Sequence, residues 1–363
     1  MREVALRAKV STSTVSLALR NSPLVAEATR SRIQVLAQAL QYRTHPLVAA
    51  HMRSRRKPGA GASAPVLAIV DTQRRRYGWR DNRTFMVRQM LTGAKARAAE
   101  RGFETREFWL HEPGMSHTRF SEMLRARGIH GLLMGPSSDL QLELDLQWDW
   151  FSVVRLGSAR MTPALHRVVV DHYHAGMIAA QRAHEAGFRR PILSVREAFS
   201  VAHDRRLEGG FEMIWRNFSG TATVPRTVTD GILDAATLKR WMREHRPDVI
   251  IDSEERHVLE LLKAGGWQVP EDVGVISLCV DRLGGPLSGC VQNGEALGWA
   301  GIDQLISLIE RNETGVPAKP VTLATNVTWN VGQTVLSREA IPPRARKLGG
   351  PSVAHSARKN CGR

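Results

Sequence analysis

The residues best placed to do chemistry lie in the first twenty positions. Between Val4 and Leu19, small or apolar residues (Val4, Ala5, Ala8, Val10, Val15, Leu19) recur at spacings that let two short helices pack across a turn. Ser11 stands where a hydroxyl caps the second helix. Thr12, Ser13, Ser16 and Leu17 are left outward or flanking. Short hydroxyls near the first turn of a helix reach phosphate oxygens and base edges, and an outward leucine can touch only apolar edges such as a thymine methyl. The chemistry implied is polyanion recognition, not bond making.

No catalytic pattern competes with it. The chain has no G-x-S-x-G elbow, no Walker phosphate loop, no G-x-G-x-x-G after a strand and no H-E-x-x-H. His172 and His174 are two apart, a spacing that does not put both on one helical face, so they read as solvated loop residues and not as a metal pair. Cys279, Cys290 and Cys361 form no C-x-x-C, which argues for reduced thiols and against a disulfide frame or zinc site. No enzyme activity, metal or cofactor is expected.

The elements that must position these residues follow from periodicity. Helical patterns run over Glu3–Ala8, Thr12–Leu19 and about Ala26 to Tyr42, where Ile33, Leu36, Ala37 and Leu40 make one apolar face. Pro46–Met52 offers one or two further turns. Arg53 to Ser63 then changes from basic to Gly, Ala and Ser, a linker composition. Beyond it short apolar runs such as Val66–Val70, Gly131–Met134, Ser152–Leu156, Arg167–Val170, Ile192–Val195, Asp248–Ile251 and Val273–Leu278 alternate with longer amphipathic segments. Alternation of that kind predicts βαβ units with buried parallel strands. The expected fold is an α-helical helix-turn-helix head on an α/β core of two doubly wound subdomains, with a ligand site at the carboxyl ends of the strands. Expected boundaries are 1–44 for the head, 45–64 for hinge helix and linker, 65–337 for the core and 338–363 for a basic tail without apolar period.

Charge supports that division. The chain of 363 residues carries a formal +16. Residues 1–58 hold eleven Lys and Arg against Glu3 and Glu27, residues 338–363 hold seven against Glu339, and the long middle is close to neutral. Charge confined to the ends reads as polyanion binding by the head, with the Pro-, Gly-, Ser- and Arg-rich C-terminal segment read as a solvated tail and an electrically ordinary domain between. No apolar run is long enough to span a membrane, and the first 30 residues lack a signal peptide's apolar centre. A cytoplasmic, nucleoid-associated protein is expected.

The segment VSTSTVSLALRNSPLVAEATRSRIQVLAQALQY, residues 10–42, resembles the head of the lactose-repressor (LacI/GalR) family of bacterial regulators. The shared pattern is VSxxTVSxxL, an Asn-containing turn, V-x-x-x-T-R and a Tyr, followed by a hinge helix. The resemblance implies base reading by Thr12, Ser13 and Leu17, and phosphate contact or support by Ser11, Thr14, Ser16, Asn21, Arg30 and Tyr42. It implies a hinge through Pro46, Leu47, His51, Met52, Arg53 and Arg55, with His51 at the family's minor-groove leucine position and Met52 the better apolar wedge. Ala26 replaces a usual capping serine.

The core is similar to the family's periplasmic-binding-protein-like effector domain at Val168–Gly176 and Val269–Ser277. That similarity implies an effector pocket with Phe85, Arg206, Asp252 and Asp281, Cys279 standing where an acid is usual. Trp148, Trp150, Tyr77 and Trp79 are stacking candidates. The implied protein is a homodimer on a pseudo-palindromic operator in double-stranded DNA, a repressor modulated by a small, sugar-like effector. The competing expectation is a small-solute-binding or enzymatic α/β protein with an incidental basic head.

Overall fold

The computed structural model describes residues 2–19, 22–40, 64–82, 84–137, 139, 141–219, 226–229, 233–253 and 257–336. The head is three helices: α1 (Arg2–Ala8), α2 (Thr12–Ala18) and α3 (Glu27–Ala39). They bury Val4, Ala5, Ala8, Val15, Ala18, Val25, Ile33 and Ala37 together. Helices this short gain their stability from mutual packing. Two side chains of α3 tie the ends of the others, Arg32 Nη2 donating to the Ala8 carbonyl at 3.2 Å and Gln34 Nε2 to the Ala18 carbonyl at 3.2 Å. Those carbonyls are among the last of their helices, where intrahelical partners run out. Helix α3 starts after Ala26, which provides no side-chain cap, as the sequence implied. The expected hinge, Pro46–Met52, and the linker lie outside the described residues, as does the basic tail.

The core holds two six-stranded sheets. The first sheet is ordered β13-β7-β5-β3-β1-β2 and the second β14-β12-β11-β10-β8-β9. In chain order the strands of the first sheet are β1 (Val66–Asp71), β2 (Glu104–Trp109), β3 (Gly131–Met134), β5 (Ser152–Leu156), β7 (His166–Val170) and β13 (Thr322–Thr325). Those of the second are β8 (Pro191–Arg196), β9 (Arg226–Thr229), β10 (Val249–Asp252), β11 (Gly274–Val280), β12 (Gly289–Val291) and β14 (Thr328–Asn330). Every pairing within the two sheets is parallel except β12 with β14. Parallel strands are covered on both faces, which is why β1, β3 and β10 carry the apolar runs Val66–Val70, Leu132–Met134 and Val249–Ile251 that the sequence reveals, while β5 holds Arg155 among its apolar residues. The strands that periodicity missed are short or at sheet margins: β2, β9, β12, β13, β14 and the small pair β4 (Gln141–Glu143) and β6 (Arg160–Thr162). Strand β2, ETREFW, buries only Phe108 well, so its apolar signal is diluted by its exposed edge.

The helices that matter for the site are α4 (Phe85–Glu100), α5 (His117–Ala126), α6 (His172–Glu185), α7 (Glu197–Ala202), α8 (Arg206–Ser219), α9 (Ala235–Glu244), α10 (His257–Ala264) and α11 (Gly294–Arg311). Helix α11 packs against α4 and the first sheet, and α6 packs against α8 and the second. Both helix pairs approach closely through glycine. A Cβ on Gly176 would stand 2.1 Å from the Leu207 carbonyl oxygen, and one on Gly298 would stand 2.2 Å from that of Met90.

The chain crosses between subdomains where β7 leads into α6, β12 into α11 and β13 into β14. The first subdomain is therefore 64–170 with 294–325, and the second 172–291 with 328–336. Each outer face has its own apolar cluster, Phe120, Leu124, Leu132 and Val153 on the first sheet and Leu238, Trp241, Ile250 and Leu262 on the second.

Candidate DNA interface and effector cleft

Helix α2 begins as its sequence requires. The Ser11 hydroxyl accepts from the Thr14 amide at 3.1 Å and lies 2.9 Å from the Thr14 hydroxyl. This satisfies an orphan donor of the first turn and fixes its orientation. Thr12 and Ser13 are exposed on that first turn. Ser16 is half-buried, and Arg30 Nη1 reaches the Ser22 carbonyl at 3.5 Å, a supporting position. Leu17 departs from the outward placement read from the pattern: it is half-buried and leans on the head core with Val10, Leu19 and Leu36. An eight-residue amphipathic pattern cannot separate an outward leucine from one on the margin of the core, because the boundary depends on where α3 crosses. Asn21, Tyr42, Pro46, Leu47, His51, Met52, Arg53 and Arg55 lie outside the described residues.

In the core, acidic side chains gather at the carboxyl ends of strands, as the fold class requires. Asp71 closes β1 and is buried; its carboxylate accepts from the Gln73 amide at 3.0 Å and the Trp79 amide at 3.2 Å. Burial nevertheless raises its pKa. Asp252 closes β10 and is buried, and Asp281 follows β11 half-buried. Arg206 is the first residue of α8 and is exposed. Phe85 opens α4 and lines an open cavity of 440 Å³ with Arg80, Arg88, Gln89, Lys95 and Glu295, a set that contains none of the other three expected pocket residues.

Of the other aromatic candidates, Trp79 packs beside Asp71 and Gly135 at the carboxyl ends of β1 and β3. Trp79 is fully buried, its indole donating to the Val87 carbonyl at 2.8 Å. Trp148 joins the outer cluster of the first sheet, with Trp150 packed against it under the Arg125 guanidinium. Tyr77 is exposed, with Arg76 and Arg80 over its ring.

His172 corrects a second expectation. It is not a solvated loop residue but the first residue of α6, immediately after the β7 crossing, and it is buried. It meets Phe199 and His203 edge-on, with centroids 5.3 and 4.2 Å away. Burial, reinforced by His203 and Arg206, holds it well below the ordinary histidine value, so it is neutral at pH 7. Among the described residues no group of three or more His, Cys, Asp or Glu is arranged to hold a metal. Cys279 is half-buried and receives a serine contact, its amide donating to Ser277 Oγ at 3.2 Å, and burial pushes the Cys290 thiol up to about 12.

Sequence reasoning missed the contacts that join the subdomains. Asp204, at the corner between α7 and α8, lies 3.7 Å from Arg160 Nη2 on β6 and 4.0 Å from Arg167 Nη2 on β7. Arg205 beside it pairs with Glu197. Both Asp204 and Arg205 adopt left-handed backbone, with φ of 53°. Only Arg206 of this stretch was singled out from the sequence, since no periodicity marks a corner.

Residues 1–45 match the family of bacterial regulatory proteins named for LacI, and residues 180–335 match the periplasmic binding protein-like domain. The chain belongs to the LacI family. The sucrose operon repressor of Escherichia coli is 27% identical to it over 299 residues, covering 76% of this chain and 82% of that one. The repressor CytR of E. coli K12 is 24% identical over 286 residues, with 76% and 78% covered. Among solved structures, the transcriptional regulator CelR in complex with cellobiose shares the fold at a TM-score of 0.52 and 20% identity, over 91% of this chain and 98% of that one. This LacI-family chain is thus a transcription regulator and not an enzyme. No helix among its described residues is long and apolar enough to cross a membrane.

Proposed function

We propose that this LacI-family protein is a cytoplasmic, effector-gated repressor that binds a pseudo-palindromic operator as a homodimer. The carrying observation is the capped first turn of α2, which holds Thr12 and Ser13 exposed on a three-helix head. Each head would present α2 to the major groove of one half-site, with Thr12, Ser13 and Leu17 reading bases and Thr14, Ser16 and Arg30 holding phosphates or the helix frame. Asn21 and Tyr42 add support, and the hinge from Pro46 and Leu47 through His51 and Met52 to Arg53 and Arg55 meets the minor groove. The division at 44, 64 and 337 gives head, hinge, core and tail.

The effector site lies between the strand ends of the two sheets, where Asp252, Asp281 and Arg206 supply polar groups; Phe85 contributes from the side of α4. A sugar-like effector suits this reading because the names of the sucrose operon repressor and of the CelR–cellobiose complex point to sugars. Three crossings give the core a hinge, and a ligand that favours one arrangement of the subdomains shifts the heads by its differential affinity for the two states. Gel-shift titration of the full chain with its own upstream DNA tests the reading. A specific complex at moderate salt supports it; binding no tighter than to unrelated DNA of equal length sinks it.

A further inference from the structure

Arg155 is a buried guanidinium with no anion to meet it. It sits in the middle strand row of the first sheet, in register with Met134 on β3 and Arg167 on β7, and Arg167 is in turn in register with Thr322 on β13. Its exposure is 5%. Among the described residues no carboxylate or carbonyl accepts from its side chain. The charged residue in register beside it is another cation, Arg167, and burial together with that neighbour pushes the Arg155 guanidinium down to about 10, still charged at neutral pH. Proteins seldom bury an arginine without an anion, because desolvation of the charge is costly unless an acid and hydrogen bonds replace the lost water. Here the neighbouring cation makes the deficit larger.

Arg167 donates through Nε to Thr322 Oγ1 at 2.9 Å, and its Nη2 lies at the edge of ion-pairing distance from Asp204, 4.0 Å away in the second subdomain. Arg160 lies on the other side of Asp204. Arg160 and Arg167 thus share one carboxylate at the margin of ion-pairing distance, and Arg155, deeper on the strand beside Arg167, has none. A planar, bidentate anion is the chemistry that two such guanidiniums fit.

We infer that the effector of this protein carries an anionic group, a phosphate ester or a carboxylate, seated against Arg155 and Arg167. The inference rests on the reading of the core as the effector-sensing unit. The anion would complete the charge of the first subdomain and compete with Asp204 for Arg167, so that occupancy is felt at the contact between subdomains.

The test uses the full chain and four probes at matched ionic strength: inorganic phosphate, glucose 6-phosphate, gluconate and glucose. Thermal midpoints are read for the native protein, Arg155→Met and Arg167→Gln. An anionic probe should raise the native midpoint while glucose does not, and the apparent affinity should fall at least roughly tenfold in Arg155→Met. A response to the two phosphates but not gluconate assigns a phosphate ester, and the converse assigns a sugar acid. Anions also bind the basic head, and only the Arg155-dependent part counts. If Arg155→Met does not fold, Arg167→Gln decides by the same criterion. Equal midpoint shifts in native and variant chains, or no anion-dependent shift at all, overturn the inference. Operator binding measured in the same samples separates that failure from failure of the regulator reading, which alone would abolish the specific DNA complex.

Discussion

Asp204 Oδ1 lies 3.7 Å from Arg160 Nη2, and the two residues belong to different subdomains. With Arg167 on the same carboxylate, this exposed contact spans the cleft beside one of the three crossings. Its value is in the choice between arrangements of the core, not in stability, since exposed ion pairs contribute about 0–1 kcal/mol.

Replacing Asp204 with Asn should therefore lower stability to urea by less than about 1 kcal/mol, and the loss should shrink as salt rises. The effector's influence on operator affinity should nevertheless change several-fold. Equilibrium unfolding and gel shifts with and without effector would check the pair of effects. A stability loss unaffected by salt would show that the contact acts otherwise.

Gly176 sets the approach of α6 to α8. Alanine there would gain about 1 kcal/mol of helix propensity. Its Cβ would also meet the Leu207 carbonyl oxygen at 2.1 Å and the Phe211 amide nitrogen at 2.7 Å, both backbone atoms that cannot swing aside. Overpacking wins, and Gly176→Ala should cost a net 1–3 kcal/mol or so in urea unfolding.

The head offers a matched pair of cap substitutions. Ser11→Ala removes the acceptor of the Thr14 amide and should cost about 1 kcal/mol, whereas Ala26→Ser installs an absent cap on α3 and should return a similar amount. Both are read from the thermal unfolding of the head, followed by far-ultraviolet circular dichroism.

Leu17 and Thr12 should separate when substituted. Thr12→Ala removes an exposed hydroxyl, so head stability should hold while base preference at one operator position changes. Leu17→Ala should alter base preference by about 1–3 kcal/mol and also weaken the head by about 1 kcal/mol, because Leu17 leans on its core. Binding to an operator variant panel alongside thermal unfolding distinguishes them.

Acid should loosen the core. Burial lowers the pKa of both His172 and His203, so the unfolded chain takes up their protons first, near pH 6.5. Stability from keeping them neutral is complete above that pH and falls as pH drops below it, approaching about 1.4 kcal/mol per pH unit for each histidine. Urea midpoints at pH 7.5 and 5.5 should differ accordingly, and His172→Phe should flatten the slope. An unchanged slope in that variant would assign the acid sensitivity to other groups.

The sequence by itself determined the parts whose physics is local. Ser11 before Thr12, the apolar spacing of Ile33 and Ala37, and the apolar runs of β1, β3 and β10 each announce their structure within a few residues. A cap, a helix face and a doubly buried strand depend on near neighbours in the chain. What tertiary structure decided depends on residues far apart. Leu17 is half-buried because it lies on the margin of the three-helix core, His172 was buried because the β7 crossing meets α7, and β2 and β13 became strands only by pairing at the margins of a sheet already built. The Arg155–Arg167 row and its partial answer in Asp204 are of the same kind. They exist because parallel register places residues twelve apart side by side and a chain crossing brings a third from the other subdomain, and charge in a sequence carries no mark of which charges will be left without a counterion.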